Sequence, residues 1–287
     1  MKFTIKDFRK RYPNDDVCLQ ELMQKRFGLS SKCPAKYCKK PTKFHKIKGR
    51  QCYECQWCGH QIYPTAGTIF HKSTTPLTDW FYVMYLMTAT RSGVSAKEIQ
   101  RQLGVTYKCA WRMCHQIRKA MDENTVLKGT VEADETYVGG KGKNNKRGRG
   151  AENKTLVFGL VERKGAVMGR VVGNVKSSTV MPIVRSQVAI GTQVMTDEYP
   201  IYNKLKINGY KHKRVNHGHK QYVRGNVHTN TIEGFWSQLK RSISGTHVSV
   251  SPKHLQKYVD EFAFRYNQRD EIMPMFDRLL RNLVLLS

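Results

Sequence analysis

The chain has 287 residues, with 50 Lys and Arg against 22 Asp and Glu and a formal charge of +28. A charge of that size repels itself unless a polyanion is the partner, so nucleic acid is expected rather than a membrane surface. No apolar run approaches the roughly 20 residues that span a bilayer. The start, MKFTIKDFRKRYPNDD, also lacks the apolar stretch of a signal peptide. A cytoplasmic setting is therefore expected, in which the eight cysteines are thiols or metal ligands rather than disulfides.

Residues 1–30 predict short helices, with Asp15 and Asp16 placed to cap a segment that stops at Gly28. Residues 31–70 hold two close thiol pairs, Cys33 with Cys38 in CPAKYC and Cys55 with Cys58 in CQWC. Two such pairs around a basic connector predict a zinc ribbon, in which one tetrahedral Zn²⁺ replaces a core too small to form alone. Cys52 competes for a ligand position, and His60 and His71 are possible substitutes. Cys18, Cys109 and Cys114 fit buried thiols instead.

Residues 75–123 predict a helix-turn-helix. Ser95 with Glu98 forms a capping box, Gly104 stops the first helix, and Thr106 caps the second. On the second helix Ala110, Cys114, Ile117 and Met121 share an apolar stripe. Lys108, Arg112, His115 and Lys119 are expected on the opposite, DNA-binding face. The plain alternative is a helical hairpin with a solvated face.

From residue 128 the pattern turns to strands. GTVEADE predicts a strand with Glu132 and Asp134 on one face and Ala133 and Glu135 on the other. The segment GGKGKNNKRGRG, residues 139–150, predicts a basic hairpin or loop. TLVFGLVERKGAVMGRVVGNV predicts two more strands turning near Lys164–Gly165, and STVMPIVRSQVAIG a crossover helix with Pro182 in its first turn. A short strand, Gln193–Thr196, ends at Asp197 and Glu198, and a helix carrying Glu233 follows. The order strand, strand, strand, helix, strand, helix matches the ribonuclease-H-like layout, an α/β fold with a mixed sheet flanked by helices. This domain is expected to run over 128–287.

Glu233 alone reads as a helix cap, since Asn230 and Glu233 satisfy a capping box. It also borders a buried stripe of Ile232, Phe235 or Trp236, Leu239 and Ile243, from which a carboxylate can point at strand ends. Lys240 and Arg241 close this helix and are expected to grip DNA.

The ribbon, the segments TAGTIFHKSTTPLTDWF and SAKEIQRQLGVTYKCAWR, and the motifs VEADETYVGG, MTDEYPIY and VHTNTIEGFWSQLKR together resemble a bacterial insertion-sequence transposase of the DDE type, in the group related to Merlin elements. The resemblance covers almost the whole chain. It implies that Asp134, Asp197 and Glu233 are the catalytic triad, with Glu135 and Glu198 as rivals; 35 residues lie between Asp197 and Glu233. It further implies two Mg²⁺ ions (or Mn²⁺), about 3.5–4 Å apart, that cleave element ends and join them to target DNA. The expected partners are double-stranded terminal repeats and target DNA, bound by a homodimer or higher oligomer in a nucleoid-associated location. Two rivals are a tyrosine-nucleophile enzyme using His217, His219 and Tyr222, and a non-catalytic ribbon and helix-turn-helix regulator.

Overall fold

The computed structural model describes residues 3–139, 154–215 and 228–285. The basic segment from residue 140 and the trio His217, His219 and Tyr222 lie outside the described residues. The chain forms two compact units, residues 1–120 with 271–287, and residues 121–270.

The first unit begins with helices α1 (Ile5–Arg11) and α2 (Asp15–Arg26). Asn14, not an aspartate, caps α2 by accepting the Val17 amide at 3.0 Å. Asp15 is turned elsewhere and accepts the amides of Leu77 (3.0 Å) and Thr78 (2.9 Å) at the start of the next long helix. An antiparallel sheet follows in the order β1 (Ser30–Lys32), β2 (Pro41–Lys46), β3 (Tyr53–Cys55), β4 (Gln61–Ile62). Helices α3 (Leu77–Ala89), α4 (Ala96–Leu103) and α5 (Tyr107–Arg118) complete the helix-turn-helix region. Gly104 ends α4 with φ +67°, and Thr106 caps α5 by accepting the Cys109 amide. Ser95 caps α4, but Glu98 does not close the box: its carboxylate engages Arg101 and Gln102.

The C-terminal helix α9 (Met275–Leu285) belongs to this first unit, whereas the sequence reading runs the last domain through residue 287. The cause is aromatic packing. Phe276 is buried against Phe8, Tyr12 and Phe81, and Asp277 pairs with Arg11 at 2.7 Å.

The second unit is built on a five-stranded sheet formed by β5 (Thr130–Val138), β6 (Thr155–Glu162), β7 (Val167–Val171), β8 (Gln193–Thr196) and β9 (Lys211–Arg214). Across the sheet the order is β7-β6-β5-β8-β9. The first three are antiparallel neighbours, and β8 and β9 run parallel to β5. That order and polarity is the ribonuclease-H-like sheet. Ala133, Phe158, Leu160 and Val194 pack on one face with helix α6 (Ser177–Gln187). Val157 and Val161 pack on the other with α7 (Asn230–Ser242) and α8 (Pro252–Asn267). Pro182 stands inside α6 rather than in its first turn, because the helix starts at Ser177. The β6–β7 turn falls as expected, with Lys164 at φ +60°. Strand β9 has no counterpart in the sequence reading, since KHKR carries no apolar alternation.

Candidate active site

Strand β5 sorts its acids by face. Ala133 joins the α6-side core, and Glu135 accepts the hydroxyl of wholly buried Tyr202 at 2.8 Å. Asp134 points the opposite way, toward α7, and accepts Trp236 Nε1 at 3.1 Å. Glu132 pairs with Met195 in the parallel β5–β8 register, so continuing that register two residues sets Asp197 beside Asp134. Adjacent strands lie about 4.8 Å apart, and the two carboxylates feel each other. Burial, then the charge of Glu135 and that of Asp197, push the Asp134 carboxyl up to about 7, against lowering bonds from the Glu135 amide and Trp236. Asp197 also accepts the Tyr199 amide at 3.0 Å, which shapes the turn leaving β8. Of the rivals, Glu135 is turned to the far face, while Glu198 is exposed, as Glu233 is.

Glu233 stands in the first turn of α7 and is exposed. The capping box expected with Asn230 does not form. Asn230 is already helical and Thr229 is the capping position, without a side-chain bond to the amides. Thr229 instead donates its hydroxyl to Glu233 Oε1 at 2.9 Å. Residues 233, 236 and 240 follow the helical repeat of one face. Trp236 touches Asp134, and Asp134 also acts on the Lys240 ammonium, which burial lowers and the Asp134 charge raises. Glu233 thus shares a helix face with Trp236, which bonds Asp134, and with Lys240, which feels the Asp134 charge. Two glycines allow this approach. A Cβ on Gly159, opposite Asp134 in the β5–β6 register, would meet the Trp236 ring at 2.4 Å. One on Gly169, its partner on β7, would meet Val259 at 2.6 Å. The signal was a glycine inside the apolar strand TLVFGLVE.

The second cluster is tighter. The sulfurs of Cys33, Cys38, Cys55 and Cys58 all lie within 4.8 Å of one another. No other group of three ligating side chains converges so closely among the described residues, the three carboxylates included. Cys33 and Cys58 sulfurs stand 3.7 Å apart, close to the edge of about 3.8 Å in a tetrahedron with Zn–S arms of about 2.3 Å. Burial pushes Cys55 up, but the Thr42 hydroxyl at 3.2 Å and the amides of Trp57 and Cys58 outweigh it and bring the thiol down to about 6. Cys52 is buried outside the cluster, and neither His60 nor His71 joins it.

On α5, Ala110, Cys114 and Ile117 are buried while Lys108 and Arg112 are exposed; just beyond it Met121 is buried and Lys119 exposed. His115 is a correction: it is 4% exposed and its ring centre lies 3.7 Å from that of Trp111. Cys114, His115, Ile117 and Arg118 are all buried, an arc of about 160° at 100° per residue, so the last turn is enclosed beyond one stripe. The Arg112 guanidinium lies 6.0 Å over the Trp80 ring. Lys240 and Arg241 are exposed on the last turn of α7.

No described helix is long and apolar enough to cross a membrane. Residues 126–267 match the family described as ISXO2-like transposase domain. An uncharacterized protein in transposable element ISH50 of Halobacterium salinarum is 30% identical over 263 residues, covering 85% of this chain and 88% of that protein. An uncharacterized transposase-like protein of Haemophilus influenzae is 30% identical over 100 residues, 35% of this chain and 80% of that one. Among solved structures, the catalytic core domain of BIV integrase aligns at 14% identity and TM-score 0.32, over 47% of this chain and 81% of that one. A pre-cleavage Mos1 transpososome aligns at 11% and 0.31, over 72% and 77%. The fold assignment stands on strand order and polarity. With the relative matched nearly end to end, the chain belongs to the ISXO2-like family of insertion-sequence transposases.

Proposed function

We propose that the chain cleaves the ends of its insertion sequence and joins their 3′ ends to target DNA, with Asp134, Asp197 and Glu233 as ligands of divalent metal ions. The observation that carries this reading is Asp134 on β5 with Asp197 just past the end of parallel β8, close enough that its charge, with burial and Glu135, raises the Asp134 carboxyl to about 7. Such a pair is costly without a cation, and oxygen donors of this kind suit hard ions such as Mg²⁺ or Mn²⁺. Bound there, the ions would supply Lewis-acid activation of the attacking hydroxyl and stabilisation of the leaving oxygen. Trp236 holds the Asp134 carboxylate in orientation, and the helix face it shares with Glu233 and Lys240 would line the site with one more acid and one base. Four thiols of fitting spacing would hold one structural Zn²⁺. Lys108 and Arg112 on α5 and Lys119 just after it, with Lys240 and Arg241 on α7, would contact duplex DNA, and a homodimer or larger assembly would pair two ends.

The test is strand transfer with the element's own flanking ends in Mg²⁺. Glu233→Gln, Asp134→Asn and Asp197→Asn should each retain end binding. Each should lose joining by about a thousandfold or more, as removal of several kcal/mol of charge stabilisation requires. Near-normal joining by Glu233→Gln would remove Glu233 from the site. Wild-type protein that binds ends but never joins them would favour the non-catalytic regulator.

A further inference from the structure

The strand that carries Asp134 carries a second acid with no access to solvent. Glu132 is 0% exposed and lies two residues before Asp134 on the same face of β5. Its Oε2 accepts the amides of Thr231 at 2.8 Å and Ile232 at 3.1 Å, and its Oε1 accepts the Thr231 hydroxyl at 2.9 Å. Arg163 Nε donates to Oε1 at 2.7 Å, and His228 Nδ1 stands 3.3 Å from it. Arg163 also donates from Nη2 to the His228 carbonyl at 2.9 Å, just before α7 begins.

A helix start leaves its first amides without partners, and a local side chain usually accepts one. At α7 the local cap makes no such bond, and Glu132 accepts two amides from 99 and 100 residues away. A buried carboxylate is tolerated only when its contacts are nearly complete, so helix and strand are held at one fixed point. That point is one residue before Glu233 and two before Asp134.

We propose that Glu132, clamped by Arg163, is a positioning residue that sets the separation of Asp134 and Glu233 for metal binding. The inference rests on reading those two acids as metal ligands. Mg²⁺ demands near-ideal octahedral geometry, and supporting groups must hold ligands to within about 0.5 Å. A plain cap would act on stability alone, whereas a positioning residue also sets metal affinity.

The experiment compares Glu132→Gln, Arg163→Gln and Glu233→Gln in the full chain. Amide exchange over residues 228–239 is followed without metal, the rise in melting temperature is titrated with Mn²⁺, and joining is titrated with Mg²⁺. Glu132→Gln should fold, bind ends, exchange faster at Thr231 and Ile232, and need about 10–100 times more metal for half its response, the usual cost of losing a ligand's supporting partner. Arg163→Gln should shift both metal titrations in the same direction by less. It carries the test if Glu132→Gln does not fold, and unchanged titrations in it would then overturn the proposal. Normal metal titrations in Glu132→Gln despite faster exchange would reduce Glu132 to a cap and also overturn it. If Glu233→Gln itself titrates as wild type, the ligand reading has failed, and the clamp's role toward metal with it.

Discussion

The four clustered thiols and the three acids proposed as metal ligands are assembled in opposite ways. The four thiols come from one stretch, Cys33 to Cys58, and two tight turns bring them within 4.8 Å of one another. The three acids span Asp134 to Glu233 and depend on a parallel register, a pair of facing glycines and a helix start anchored by Glu132. A site built from local turns should fail as a unit when one ligand goes. A site built from packing should degrade in proportion to how far a distant element moves.

The largest effect tests the local site. Cys55→Ala should lose essentially all of one bound zinc equivalent, since structural zinc contributes on the order of 10 kcal/mol to folding its domain. Proteolysis should then open the chain within residues 31–70 while the five-stranded sheet stays protected. Metal analysis by mass spectrometry checks the first point, and retention of a full equivalent would remove Cys55 from the ligand set.

Gly159→Ala is the matching probe of the packed site. Its new methyl would enter the space of the Trp236 ring. Overpacking of that kind costs about 1–3 kcal/mol. The displaced indole would also release the Asp134 carboxylate, so joining should fall more than stability alone explains. Indole fluorescence and a thermal melt beside the joining rate separate the two. A variant with normal joining would show that Trp236 does not orient Asp134.

This contrast also explains what was legible from the sequence. The knuckle spacing named all four thiols, because the turns that gather them are short. The strand pattern placed Asp134, Asp197 and the crossover helix, because burial on both faces writes itself into apolar runs. Glu132 was placed on the correct face of β5, yet its partners begin at residue 228 and no local pattern announces them. The same holds for Asp15, read as a local cap and found capping α3. A remote carboxylate replaces a local cap at both helix starts, and only the fold reveals it. His115 was misplaced for a related reason: a helical stripe predicts one buried side, while the end of α5 is enclosed on more.

A pH titration sharpens the comparison further. Asp134 is raised from 3.8 to about 7, so between those values the folded metal-free chain keeps a proton that the unfolded chain has lost. Folding stability should therefore fall as pH rises through that window, opposite to the usual paired aspartate. Asp260 on α8 is raised to about 7 as well, chiefly by burial, and adds a slope of the same sign. Melting temperature against pH should flatten partly in Asp134→Asn. Mg²⁺ should reduce only the Asp134 share, leaving the slope that Asp260→Asn removes. An identical slope in Asp134→Asn and wild type would mean that burial and the neighbouring carboxylates do not hold a proton on Asp134.

The smallest effects belong to the exposed bases, where neither turn nor packing is at stake. Lys108 and Arg112 both face outward on α5, but Arg112 lies over Trp80 and Lys108 does not. If each meets one phosphate, either alanine substitution should reduce the slope of log affinity against log salt by about 0.9. The two should differ in stability: Lys108→Ala should melt as wild type, and Arg112→Ala should lose about 0.5–1 kcal/mol with its aromatic contact. Salt-dependent binding to element ends, beside thermal melts, reads both quantities. An unchanged salt slope with a lowered melting temperature in Arg112→Ala would make that residue a support for α3 rather than a reader of DNA. An unchanged slope in Lys108→Ala as well would leave α5 without a phosphate contact and return the pair α4–α5 to a helical hairpin with a solvated face.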